Sequence, residues 1–248
     1  MLGTQTWGKG GRVVLLHGFS QSAAAWEPLA RRLAEVHEVV AVDAPGHGRS
    51  ASVRAGLWDG AELIADAGGR GAYVGYSMGG RYALHVALRR PEVVDRLVLV
   101  SATAGLDTAA ERAARVAADE DVARRVERDG VPAFVEWWLR RPLFATLPRE
   151  AAALDARLGG RAEGLASSLR LAGTGRQEPL WDRLRTLEMP VLVVAGALDE
   201  AYAARARRLV TAIGPNARLA LIEGAGHACH LERPDAWLEV VEPFLAGA

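Results

Sequence analysis

Six short runs of valine, leucine, isoleucine and alanine do most to limit what this chain can become: RVVLL (12–16), EVVAV (38–42), AYV (72–74), RLVLV (96–100), VLVVA (191–195) and RLALI (218–222). Each has strand length, and none alternates cleanly between polar and apolar residues. A strand that is apolar on both faces must be covered on both, which is the condition of a parallel sheet lying between two layers of helices. Helical patterns fall between the runs, at 22–36, 58–67, 79–90, 200–213 and 233–246. Strand, helix, strand in succession predicts an α/β architecture with right-handed crossovers. The few residues before Arg12 leave room for one antiparallel edge strand.

The rhythm stops between about 107 and 180. Strand patterns vanish there, and helical stretches follow one another at 108–129, 131–141, 149–158 and 161–171. The expectation is a core made of 1–106 and 181–248, with 107–180 as a helical cap inserted before the last two strands. Such a cap would lie over the carboxyl edge of the sheet, where open α/β folds bind ligands. The alternative is a helical extension packed on a sheet face.

The 248 residues are half apolar, enough for one sizeable core with an inserted subdomain. Thirty basic residues balance thirty acidic ones. No global field therefore draws the chain to nucleic acid or to an anionic membrane. Cys229 is the only cysteine, so no intramolecular disulfide can form. The N-terminal residues MLGTQTWGKGG lack the pattern of a signal peptide. The apolar run VLVVAGAL at 191–198 is far shorter than the ~20 residues that span a bilayer. A cytoplasmic protein without membrane insertion is the expectation, and its oligomeric state is left open. No His, Cys or Asp cluster has metal spacing, and neither GxGxxG nor a P-loop occurs, so no metal or cofactor is expected.

The chemistry-bearing motif is Gly75-Tyr76-Ser77-Met78-Gly79, a G-x-S-x-G directly after a strand pattern and directly before a helix. That context predicts a nucleophile elbow, a tight turn that projects the Ser77 hydroxyl. The partners of such a serine follow in the order acid, then histidine, each on a loop beyond a strand. Asp199 follows VLVVAGAL, and His227 follows RLALIEGAG. Asp43 and Asp182 are weaker rival acids. The loop after the first strand, LLHGF, predicts one oxyanion N–H from Phe19, with Met78 supplying the second. His17 and His47 are read as loop-positioning residues, His85 as part of the elbow helix, and His37 and His230 as structural.

Arg81 raises a separate question. Four residues beyond Ser77, it places a cation in the first turn of a helix, against the macrodipole, at a cost of roughly 0.3–1 kcal/mol. At ~1.5 Å per residue it lies roughly 6 Å along the helix from the serine, close enough to point into the same pocket. An anionic ligand would offset the cost.

Taken together, HGFSQSAAAW, DAPGHGRS, GYSMGGR, LDE and GAGHACHLERP resemble the α/β-hydrolases. Two strings in the cap, WWLRRPLFATL (137–147) and GLASSLRLAGTGRQEPLWDRL (164–184), together with the arginine after the elbow, resemble the 2-succinyl-6-hydroxy-2,4-cyclohexadiene-1-carboxylate (SHCHC) synthase family of menaquinone biosynthesis. The likeness covers essentially the whole chain. It implies a lyase that eliminates pyruvate from a substrate with three carboxylates, using no cofactor. It also implies anion clamps at Arg81, Arg115 and Arg157, with Arg161 as the alternative to the third, and pocket lining by Tyr76, Trp137 and Phe144. Val100, Ala104 and Ala201 depart from the family pattern. The rival expectation is a serine hydrolase acting on a small carboxylated substrate.

Overall fold

A computed structural model describes residues 1–247. Seven strands form one sheet: β1 (Thr4–Trp7), β2 (Gly11–Leu16), β3 (His37–Val42), β4 (Gly71–Tyr76), β5 (Val94–Val100), β6 (Val191–Gly196) and β7 (Ala217–Ile222). Their order is β1-β3-β2-β4-β5-β6-β7. Only β1 runs antiparallel, pairing with β3; every other neighbouring pair is parallel. The expected edge strand is thus present, beside a parallel sheet of six strands.

Alternate residues of the parallel strands feed two separate cores. Val14, Leu16, Val40, Leu97 and Val193 face α2 (Leu57–Gly68), α3 (Met78–Arg89) and α7 (Glu200–Ile213). Val13, Leu15, Val39, Val98 and Val194 face α1 (Glu27–Leu33) and α8 (Pro234–Ala246). This two-sided burial is why the strand runs carry no polar alternation.

Between β5 and β6 the described chain is helical, with α4 (Ala109–Leu139), α5 (Leu154–Leu158) and α6 (Ala162–Ala172). Thr108 and Glu111 form a capping box that starts α4. Gly130, at φ 74° and ψ 164°, breaks it where two helices are expected to meet, and Pro132 follows at once. The helix expected over 149–158 is instead a 3-10 turn and the short α5, separated by Ala153 in the left-handed region at φ 51°. The segment has an apolar cluster of its own, in which Ala123, Val126, Phe134 and Val135 meet Leu165, Ala166 and Leu169. Among the described residues no helix is long and apolar enough to cross a membrane.

Candidate active site

Strand β4 ends at Tyr76 and α3 begins at Met78, so Ser77 alone makes the turn. Its backbone is held at φ 51°, ψ −107°, which a non-glycine residue keeps only when its surroundings enforce it. Part of the enforcement is the bond from Ser77 N–H to the Val100 carbonyl of β5 at 2.8 Å. The rest is close approach. A Cβ on Gly79 would stand 2.1 Å from the Leu16 carbonyl oxygen, and one on Gly75 2.4 Å from the Gly79 oxygen. The glycines on either side of the serine are therefore steric requirements of the turn.

Asp199 follows β6 and caps α7, its Oδ1 accepting the Tyr202 N–H at 3.1 Å. Its Oδ2 lies 2.9 Å from His227 Nδ1, and His227 Nε2 lies 3.1 Å from Ser77 Oγ. Burial works to raise the Asp199 carboxyl, but the His227 hydrogen bond and charge, the Tyr202 N–H and Arg205 outweigh it and hold the group below its usual range. An ionised Asp199 fixes the proton on Nδ1 and leaves Nε2 bare toward the serine. Glu232 grips both peptides beside the imidazole, accepting from Gly226 N–H at 2.7 Å and Ala228 N–H at 3.0 Å. The Tyr202 ring meets His227 edge-on at 4.4 Å. Of the rival acids, Asp43 is occupied by the N–H groups of Ala23 and Arg49, and Asp182 is exposed.

The loop after β2 is held by buried histidines. Burial lowers His17 to about 4 and His47 to about 3, so both are neutral at pH 7. His17 Nε2 accepts from Ala44 N–H, which puts its proton on Nδ1, 2.8 Å from the Gly18 carbonyl. That carbonyl also accepts from Gln21 N–H at 3.2 Å. In a trans peptide the N–H opposes the carbonyl, so Phe19 N–H is turned away from these anchors. Phe19 and Met78 both border the cavity above Ser77.

That cavity has a volume of about 1040 Å³. Among the described residues seven arginines line it, against two carboxylates, Asp119 and Asp121. Arg81 is 7% exposed, donates to the Ala172 carbonyl at 2.7 Å, and makes no ion pair with any described residue. Burial and the neighbouring Arg115 both depress its pKa, as for a cation lacking its anion. Arg115 also reaches the cavity, but it is bound to Asp119 Oδ1 at 2.7 Å. Trp137 lines the wall between Arg125 and Arg141, whose guanidiniums lie 4.3 and 5.1 Å from its ring.

Two expected lining residues and both candidates for the third clamp stand elsewhere. Tyr76 is buried beneath the site, its ring 4.4 Å from His230 and 5.5 Å from His227, because residue 76 still belongs to β4 and faces the helical layer. Phe144 is 7% exposed and packs edge-on to His227 at 6.2 Å rather than forming the wall. Arg157 is 1% exposed and binds Ala152, Phe19 and Ser20, and Arg161 is exposed outside the cavity. Sequence reasoning missed Trp138, Tyr202, Arg141 and Arg205 on the cavity wall, and Glu232 beside His227. Tyr202 had a usable signal, since the third residue past a helix cap is held by that cap. The arginines had none in a chain whose basic residues are arginine at every position but Lys9.

A serine on an elbow, an imidazole and a carboxylate joined by hydrogen bonds at the carboxyl ends of parallel strands define a class. The chain belongs to the alpha/beta hydrolase family, whose family model matches residues 13–240. Within it, the chain is similar to a putative SHCHC synthase of Bacillus subtilis (strain 168), with 35% identity over 95% of this chain and 90% of that protein. It is also similar to the pimeloyl-[acyl-carrier protein] methyl ester esterase of Xanthomonas campestris pv. campestris (strain B100), with 34% identity over 97% of each chain. Among solved structures, MenH from S. aureus superposes with a TM-score of 0.91 at 28% identity, covering 99% of this chain and 98% of that one.

Proposed function

We propose that this chain is an SHCHC synthase-like lyase of the cytoplasm, acting on a small substrate with three carboxylates. The observation that carries the reading is Arg81, a buried guanidinium one helical turn from Ser77 that meets a carbonyl and no carboxylate. A substrate carboxylate supplies the missing anion, and arginine's planar fork grips it through two parallel bonds. Arg115 is the second clamp, and Trp137 gives the ring of the substrate a flat wall. Residues 107–180 act as a cap that closes the cavity over the triad.

In this mechanism His227, held by Asp199, draws the proton from Ser77, and the serine oxygen removes a proton from the substrate carbon next to the succinyl ketone. The electron pair moves into the carbonyl, whose negative oxygen is held by the Phe19 and Met78 N–H groups. Collapse of that charge through the ring breaks the C–O bond to the enolpyruvyl group. The departing enolate takes a proton and becomes pyruvate, and no acyl-enzyme forms.

The test is pyruvate release from the enolpyruvyl cyclohexene precursor, followed by coupled NADH oxidation, beside hydrolysis of aryl esters. Rapid pyruvate release with weak esterase activity is the expected result. Fast ester turnover without pyruvate would move the assignment to a serine hydrolase, the reading that similarity to the methyl ester esterase favours. In that case Ser77 attacks a carbonyl and is acylated.

A further inference from the structure

One buried cation is left over by this mechanism. Arg157, on α5, is 1% exposed and makes no ion pair with any described carboxylate. Burial lowers its pKa only to about 10, so it is charged at neutral pH. A guanidinium in the interior is costly unless its donors are satisfied. Its Nε donates to Ala152 O at 2.8 Å, within the helical insertion. Its Nη1 reaches across to the loop after β2, 2.5 Å from Ser20 Oγ and 3.4 Å from Phe19 O.

The receiving loop is strained. Ser20 sits at φ 66°, unfavourable for a residue with a side chain. Its N–H is held by His47 Nε2 at 3.3 Å, so the Phe19–Ser20 peptide is gripped at the carbonyl by Arg157 and at the N–H by His47. The preceding peptide is gripped at the Gly18 carbonyl by His17 and Gln21. Of the four polar atoms of these two peptides, only Phe19 N–H is left for a ligand. Three of the anchors belong to the core of the fold, and Arg157 is the one supplied by the insertion.

We propose that Arg157 is the positioning residue of the oxyanion loop: it clamps the Phe19–Ser20 peptide, which adjoins the peptide carrying the Phe19 N–H, so that the oxyanion site is complete only when α5 is seated. The proposal rests on the assignment of Phe19 N–H to the oxyanion site, which the lyase and hydrolase reactions share. Arg157 touches no reacting atom. It acts through the peptide it holds, which shares the Phe19 Cα with the donor peptide and so limits rotation of the Phe19 N–H.

The test compares Arg157→Gln, Arg157→Lys and Ser20→Ala, using phenylboronic acid as a probe. This neutral acid forms a tetrahedral adduct on an activated serine and places an oxygen in the hole, with no carboxylate to be clamped. Removing one oxyanion donor costs 10²–10³-fold in kcat in other enzymes. Misaligning one in Arg157→Gln is expected to lower kcat by about 10–100-fold and boronate affinity by a similar factor, with KM changed less than about threefold. Arg157→Lys, which keeps the charge and loses the fork, recovers part of both. Ser20→Ala shows a smaller loss in the same two quantities, and it carries the test with Arg157→Lys if Arg157→Gln fails to fold. A loss confined to KM for anionic substrates, with boronate affinity unchanged, would overturn the proposal and make Arg157 a substrate contact. Unchanged kcat and boronate affinity in all three would also overturn it. Failure of the underlying assignment looks different: the unmodified enzyme would not bind the boronate, and Ser77→Ala would remain active.

Discussion

The sheet and the helical insertion hold their polar groups in different ways. In the sheet region each residue of the triad is anchored through main-chain N–H groups: Ser77 by its own N–H to Val100, Asp199 by the Tyr202 N–H it accepts, and His227 by the neighbouring peptides whose N–H groups Glu232 accepts. In the insertion the charged side chains are tied mainly to one another. Arg170 bridges Glu120 and Glu127, Arg149 meets Glu136, and Arg115 meets Asp119. Backbone ties fix atoms to within tenths of an ångström, whereas pairs of long side chains on a surface contribute little and exchange readily. The geometry of the triad therefore belongs to the sheet region, and the insertion shares in recognition of charge and touches the reaction geometry through Arg157.

That division can be broken by experiment. Ser77→Ala removes the reacting oxygen and is expected to lower kcat by at least about 10⁴-fold while leaving anionic product binding intact by calorimetry. A residual rate within tenfold of the parent would contradict the assignment. Phe134→Ala empties the centre of the insertion's own cluster, where Phe134 is fully buried and stacked on Trp138 at 5.8 Å. The cost is about 3–5 kcal/mol, and hydrogen exchange is expected to quicken across 109–172 while the strands stay protected. Uniform loss of protection would mean that the two regions unfold as one.

Arg81→Ala is expected to cost about 10²-fold in kcat/KM on carboxylated substrates and far less on a neutral aryl ester. Equal losses on both would make the arginine structural. The buried histidines sharpen the contrast by pH. His17 and His85 are lowered to about 4, and His47 and His230 to about 3, in each case mainly by burial. Their folded pKa values lie below the unfolded value near 6.5, so the unfolded chain binds protons first as the pH falls. Their contribution is whole above about 6.5 and is lost toward 4, at about 1–2 kcal/mol per histidine by pH 5. None of the six histidines lies between 101 and 190, so acid should weaken the sheet region first, as read by exchange at pH 7 and 5. Arg115→Ala should have the smallest effect, about 3–10-fold in KM, because its side chain is 42% exposed and already paired with Asp119.

The frame was legible because its rules are local. The strand expected over 96–100 is Val94–Val100, and that over 191–195 is Val191–Gly196; the differences fall at strand ends, where periodicity carries no signal. Gly130 marked the break in α4 for the same reason, since only glycine accepts that backbone geometry readily. The site was legible where residue type and order are enough, as for Ser77, Asp199 and His227. It was obscure where orientation decides. Tyr76 and Phe144 are one side-chain direction away from the cavity, and Arg157 points at a loop 137 residues earlier in the chain.

The string of residues alone settled a two-sided sheet, a helical interruption and an ordered trio of chemistry-bearing side chains. Each follows from contacts between near neighbours: side-chain alternation, the space around a glycine, the position of a cap. The placement of charge was decided only on folding. Residues 107–180 hold twelve arginines and twelve acids and are neutral as a list. Among the described residues that segment nonetheless turns five guanidiniums and two carboxylates toward one cavity, where Arg81 and Arg205 of the core join them. Long flexible cations take their partners from whatever the tertiary structure brings near, and sequence distance says nothing of which those are.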